Sequence, residues 1–151
     1  MMKPGVLATT LLSLAIAGLA QDKPVKMADL PAPVQKTVRA ELAQGATLRG
    51  LLTSHEGGQL EYEAELTLNG LNRDLSLSAS GKILEAEDTV TLASLPAAAR
   101  SALTRVGKII KVEAVSDHGH FVAYEAKVRG ANGKITEIRV DRQGHAVADN
   151  G

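Results

Sequence analysis

The chain contains no cysteine and no tryptophan, and its whole aromatic set is Tyr62, Phe121 and Tyr124. Without cysteine there is no disulfide, no thiolate nucleophile, no thiolate metal ligand and no lipid-modified cysteine, so stability must come from an apolar core. Three aromatic rings are too few for a base-stacking nucleic-acid platform. An excess of one charge is missing as well, because 17 basic side chains face 17 acidic ones. That balance removes the electrostatic reason to bind nucleic acid or an anionic membrane. Long hydrophobic runs are also absent. The apolar stretch from about Val6 to Ala17 falls short of the about 20 residues that cross a bilayer.

That stretch has a different meaning. Lys3 precedes it, the small residues Gly18 and Ala20 follow, and polar Gln21 and Asp22 come next. This is the layout of a secretory signal peptide over 1–20, cut after Ala20, with 21–26 as an N-terminal linker. The mature chain is therefore expected in the periplasm or secreted, with no membrane span. Catalytic signatures are missing too: there is no G-x-S-x-G elbow, H-E-x-x-H, phosphate-cradling glycine loop or G-x-G-x-x-G. The expectation is a protein that is not an enzyme and needs no cofactor.

What is present is a phrase written twice. ADLPAP at 28–33 returns as ASLPAA at 93–98, and YEA at 62–64 returns at 124–126. Asn69-Gly70 corresponds to Asn132-Gly133, and Gly81 to Gly144. The common order and near-constant spacing predict two copies of one unit, over 27–90 and 91–151. Each copy opens on a helix, with Asp29 or Ser94 as cap and Pro31 or Pro96 in the first turn. Val34, Val38 and Leu42, and then Ala99, Leu103 and Val106, recur at helical spacing. Strands follow. Leu60, Tyr62, Ala64, Leu66 and Leu68 alternate with Glu61, Glu63, Glu65 and Thr67; Val122, Tyr124, Ala126 and Val128 alternate with polar or small residues. Asn-Gly between strands predicts a hairpin in each copy. Preceding strands are expected at 46–54 and 108–116, and short closing strands after Gly81 and Gly144. The predicted fold is α+β: two tandem helix-plus-antiparallel-meander units of about four strands each, with helices covering one sheet face.

An LP-led helix, a YE-bearing strand, a hairpin and a closing Gly-Lys/His turn resemble the PepSY-like superfamily, including its β-lactamase-inhibitor-like members. The resemblance spans both copies. It implies a tandem module of the bacterial envelope that binds a protein, as inhibitor or regulator of an extracytoplasmic peptidase or hydrolase. The chain departs from the inhibitor pattern in having no disulfides and no aromatic-rich concave surface.

Candidate partner-binding residues fall in two groups. The first is the hairpin tips, with His55 and Glu56 in one and Asp117, His118 and His120 in the other. The second is the outward strand face, with Glu61, Glu63 and Glu65 in one copy and Phe121 in the other. Same-face carboxylates on a strand stand about 7 Å apart, a spacing that complements a basic partner and also ends as an ordinary solvated face. If the two sheets join, this surface is acidic at one end and mixed at the other. Asp117, His118 and His120 also supply three potential ligands for a borderline metal such as zinc, although an exposed turn needs none. The alternative functions are accordingly a small-ligand or metal-binding envelope protein, or a structural one.

Overall fold

Alternation along the chain becomes strands because each polar–apolar stretch can place its apolar half against a helix and its polar half in water. The computed structural model describes residues 22–148. In order these form β1 (Lys23–Pro24), α1 (Ala32–Ala43), β2 (Thr47–Glu56), β3 (Gln59–Leu68), β4 (Leu71–Leu77), β5 (Ile83–Thr89), α2 (Ala97–Val106), β6 (Lys108–Asp117), β7 (His120–Arg129) and β8 (Ile135–Val140). The expected signal peptide and its cleavage after Ala20 lie outside the described residues.

The eight strands form one antiparallel sheet in chain order. This overturns the expected pair of tandem helix-plus-meander units. No gap separates a front sheet from a back one, because β5 pairs with β6 from Glu85↔Asp117 to Thr89↔Glu113. Pairing there satisfies two rows of backbone groups that separate units would leave as open edges. The strand inventory also differs from the expectation. Lys23–Pro24, within the expected linker, pairs with Thr53 and Leu52 as an extra edge strand. After Gly144 the closing strand reduces to one bridge, Val140↔Ala146.

Both helices lie on the same face. Val34 and Val38 of α1 are buried over Leu51, Ala64, Leu66, Leu75 and Leu77, and Ala99 and Leu103 of α2 over Val112, Ala126 and Val128. Each fully buried leucine in that layer contributes roughly 1.5–3 kcal/mol. The leucine of each LP pair, Leu30 and Leu95, is itself buried. It anchors the chain before proline starts the helix. Asp29 and Ser94 do not cap these helices, contrary to expectation. They sit in short 3₁₀ turns one step earlier, and the residues flanking the helices are Pro31 and Pro96, with no side-chain cap. At the other end of α1, Ala46 N–H bonds Glu41 O (3.2 Å) and Gly45 N–H bonds Leu42 O (3.1 Å), the paired closure that a glycine at positive φ permits. Val106, expected in the core, is 50% exposed on the last turn of α2.

Two loops lock the sheet to the helices. A Cβ on Gly81 would stand 2.5 Å from Pro33 O, and one on Gly144 2.7 Å from Ala98 O. Gly81 O also accepts the Thr37 hydroxyl at 2.7 Å. The loops carrying these glycines therefore press against the first turns of α1 and α2. Asn69-Gly70 makes the tight hairpin expected of it, with φ of 53° and 79°. Asn132-Gly133 instead lies in a wider loop, closed by Gly130 N–H to Lys134 O at 2.9 Å.

Candidate functional site

The face without helices collects acidic side chains from successive strands. Period two sends Glu61, Glu63 and Glu65 of β3 to this side, and register does the rest. Glu65 stands opposite Asp74, Asp74 opposite Glu87, and Ser76 between Glu63 and Glu85. Glu85 then meets Asp117, and Glu113 meets Glu125. A groove of about 410 Å³ runs across this face, lined by residues of every strand from β2 to β8, including Ser54, Glu61, Glu63, Ser76, Glu85, Val122 and Arg139. One hollow touched by so many strands requires the sheet to curl toward its uncovered side. A second hollow of about 300 Å³ continues it over Glu65, Asp74 and Glu87.

Burial and like charge raise several of these carboxyl groups. Glu87 is pushed up to about 7, first by burial and then by Glu113, Glu85 and Glu125, with Lys111 acting in the opposite direction. Burial also raises Asp74, against the pull of Arg49, and raises Glu61 with help from Glu56 and Glu63. Ligand atoms of Asp74, Glu87 and Glu113 all lie within 4.8 Å of one another. Glu113 is only 6% exposed and is neutralised by Lys111 Nζ at 2.6 Å. Arg49 forms an ion pair with Asp74. Among the described residues, Glu87 is the member of this trio without a salt bridge of its own. Burial among these acids therefore favours the protonated form of Glu87.

The sequence-predicted residues scatter over this landscape in an orderly way. Glu56, Glu61, Glu63 and Asp117 line the groove, and Glu65 lines its continuation. The meander topology places the β2–β3 tip, next to His55 and Glu56, at the same end of the sheet as the β6–β7 tip. In the second tip His118 and Gly119 take φ of 47° and 81°, a two-residue turn with both central residues left-handed. His118 Nδ1 is hydrogen-bonded to Asp117, and His120 is exposed. Asp117, His118 and His120 do not assemble into a three-ligand group; among the described residues Asp74, Glu87 and Glu113 do.

Phe121 lies on the other side of the sheet from the one expected. A bulge in β7 leaves Val122 unpaired between Ser116↔Phe121 and Val115↔Ala123. Phe121 thereby joins the helix-covered side, packing on Tyr124 with ring centroids 4.8 Å apart and under the Arg142 guanidinium at 3.8 Å. Val122, expected inward, lines the groove instead. Sequence reasoning also passed over Asp74, Glu85, Glu87 and Glu113. The readable signal was the alternation Glu85-Ala86-Glu87 and Asp74-Leu75, which marks these acids as outward. Their convergence depends on the strand order.

No family model matches the chain, and no curated protein matches it. Solved structures do share its fold. One, described as "putative periplasmic", is from Bacteroides eggerthii DSM 20697, with TM-score 0.64 and 18% identity over 79% of this chain and 86% of that one. A DUF2874 family protein from Bacteroides uniformis ATCC 8492 gives TM-score 0.63 and 19% identity over 78% and 86%. Another from Bacteroides ovatus ATCC 8483 gives 0.62 and 19% over 79% and 85%. The latter two carry the DUF2874 family description. In fold, the chain is similar to DUF2874 family proteins of Bacteroides.

Proposed function

We propose that this protein is an exported, non-enzymatic binding module that holds a protein partner of the cell envelope against its uncovered sheet face. The observation that carries this reading is the groove lined from β2 to β8 on the side the helices leave open. A sheet stabilised by one covered face has no internal need for a shaped, charged hollow on the other. Export is supported by the Lys3, Val6–Ala17 and Ala20 pattern, and by the periplasmic description of the Bacteroides eggerthii structure. No helix among the described residues is long and apolar enough to cross a membrane. A non-enzymatic role is supported by the lack of catalytic sequence signatures.

The partner class tested first is an exported peptidase or other hydrolase, restrained by occlusion. Hairpin tips beside Glu56 and at Asp117–His120 flank one end of the groove, where they can enter a cleft. Photo-crosslinking in the producing cell tests the reading. A benzophenone side chain at Ser76 or Val122, in the groove, is expected to trap a protein, whereas one at Lys36 or Ser101, on the outer helix surfaces, is not. Adducts from the helix positions alone, or no adduct from the groove, would overturn it. An adduct that contains a hydrolase supports the restraint mechanism.

A further inference from the structure

The charge on the uncovered face points to the chemistry of what it binds. Glu56, Glu61, Glu63, Glu65 and Glu87 face the groove or its continuation, and among the described residues none has a salt-bridge partner. The nearby cations are already engaged: Arg49 with Asp74, Lys111 with Glu113, and Arg139 with Glu125. Spacing matters as much as sign. Carboxylates at alternate positions of β3 and β5 recur about every 7 Å, the repeat of side chains on one face of an extended peptide.

We propose that the uncovered face docks a lysine- or arginine-rich extended segment of its partner. This rests on the binding reading above and specifies its partner. Around Glu87 stand Asp74 on β4 with its Arg49 from β2, Glu113 and Lys111 on β6, Glu85 on its own strand, and Glu125 on β7 with its Arg139 from β8. Carboxylates outnumber cations there, and an incoming ammonium relieves their repulsion much as Lys111 already does for Glu113.

Decalysine is the probe, titrated calorimetrically into the purified protein in low and high salt, with decaglutamate as the control. Decalysine is expected to bind saturably and more weakly as salt rises, and decaglutamate is not expected to bind. The triple change Glu61→Gln, Glu63→Gln, Glu65→Gln should weaken decalysine binding by about tenfold or more, whereas Asp29→Asn, on the helix side, should leave it unchanged. Undiminished affinity in the triple variant, or equal binding of decaglutamate, would overturn the basic-partner inference. Failure to bind decalysine while the groove crosslinks still form would overturn the basic-partner inference and leave the binding reading standing. Loss of both would end both.

Discussion

Along β3 and β4 the same two strands build two unlike surfaces. Ala64, Leu66, Leu75 and Leu77 are fully buried under α1, while Glu63, Glu65, Asp74 and Ser76 project into the groove on the opposite side. Charge is handled differently on the two sides. On the covered face Arg73, with 21% of its side chain exposed, is held by both carboxylate oxygens of Asp88 at 2.6 Å and by Glu41 of α1 at 3.1 Å. Arg73, Asp88 and Glu41 there neutralise one another. The open face instead keeps Glu61, Glu63, Glu65 and Glu87 near one another with no salt bridge among the described residues, and burial first of all pushes Glu87 up to about 7. Selection for stability alone would remove such repulsion, so the contrast separates a structural surface from one that has another use.

The contrast can be broken most severely from the covered side. Leu66→Ala and Leu103→Ala, at sites with no exposed area, should each cost about 2–5 kcal/mol in urea denaturation. Smaller but still clear losses, on the order of 1–3 kcal/mol, are expected for Gly81→Ala and Gly144→Ala. Both need a positive φ, and a Cβ on either strikes helix backbone. Arg73→Ala should cost about 1–2 kcal/mol, discounted for partial exposure, because it strands Glu41 and Asp88 together.

On the open side the expected signs change. Glu87 holds its proton up to a pKa of about 7 in the folded protein, against 4.5 as the ordinary value. Its contribution to stability is thus fully present below pH 4.5 and is lost as pH rises through 7. Glu87→Gln should flatten that part of the pH–stability profile and make the protein more stable than the parent at pH 8. Finally, Glu63→Gln, three residues before Leu66, should change stability by less than about 0.5 kcal/mol. A large loss there would mean that the acidic face is part of the scaffold after all.

Much of this was legible locally. Period two in 60–68 assigned Ala64 and Leu66 inward and the three glutamates outward, as the structure has them. Asn69-Gly70 announced its turn, and Leu30 and Leu95 marked where each helix begins. Other features were legible only in part. The shared landmarks of the two halves suggested two tandem helix-plus-meander units, yet the strands run on as one eight-stranded sheet, since the edges at β5 and β6 are satisfied by each other. Phe121 and Val122 exchanged faces because one extra residue in β7 inverts the alternation beyond it, and nothing in HFVAYEA marks the bulge.

The sequence by itself determined the period of each strand, the turns that demand a left-handed residue and the lack of any disulfide or stacking surface. These follow from backbone sterics and side-chain chemistry within a few residues. Tertiary structure decided which acids meet. Asp74, Glu87 and Glu113 come from three strands and lie up to 39 positions apart in the chain. Their shared field exists only because interstrand hydrogen bonds set a register that places β5 between β4 and β6.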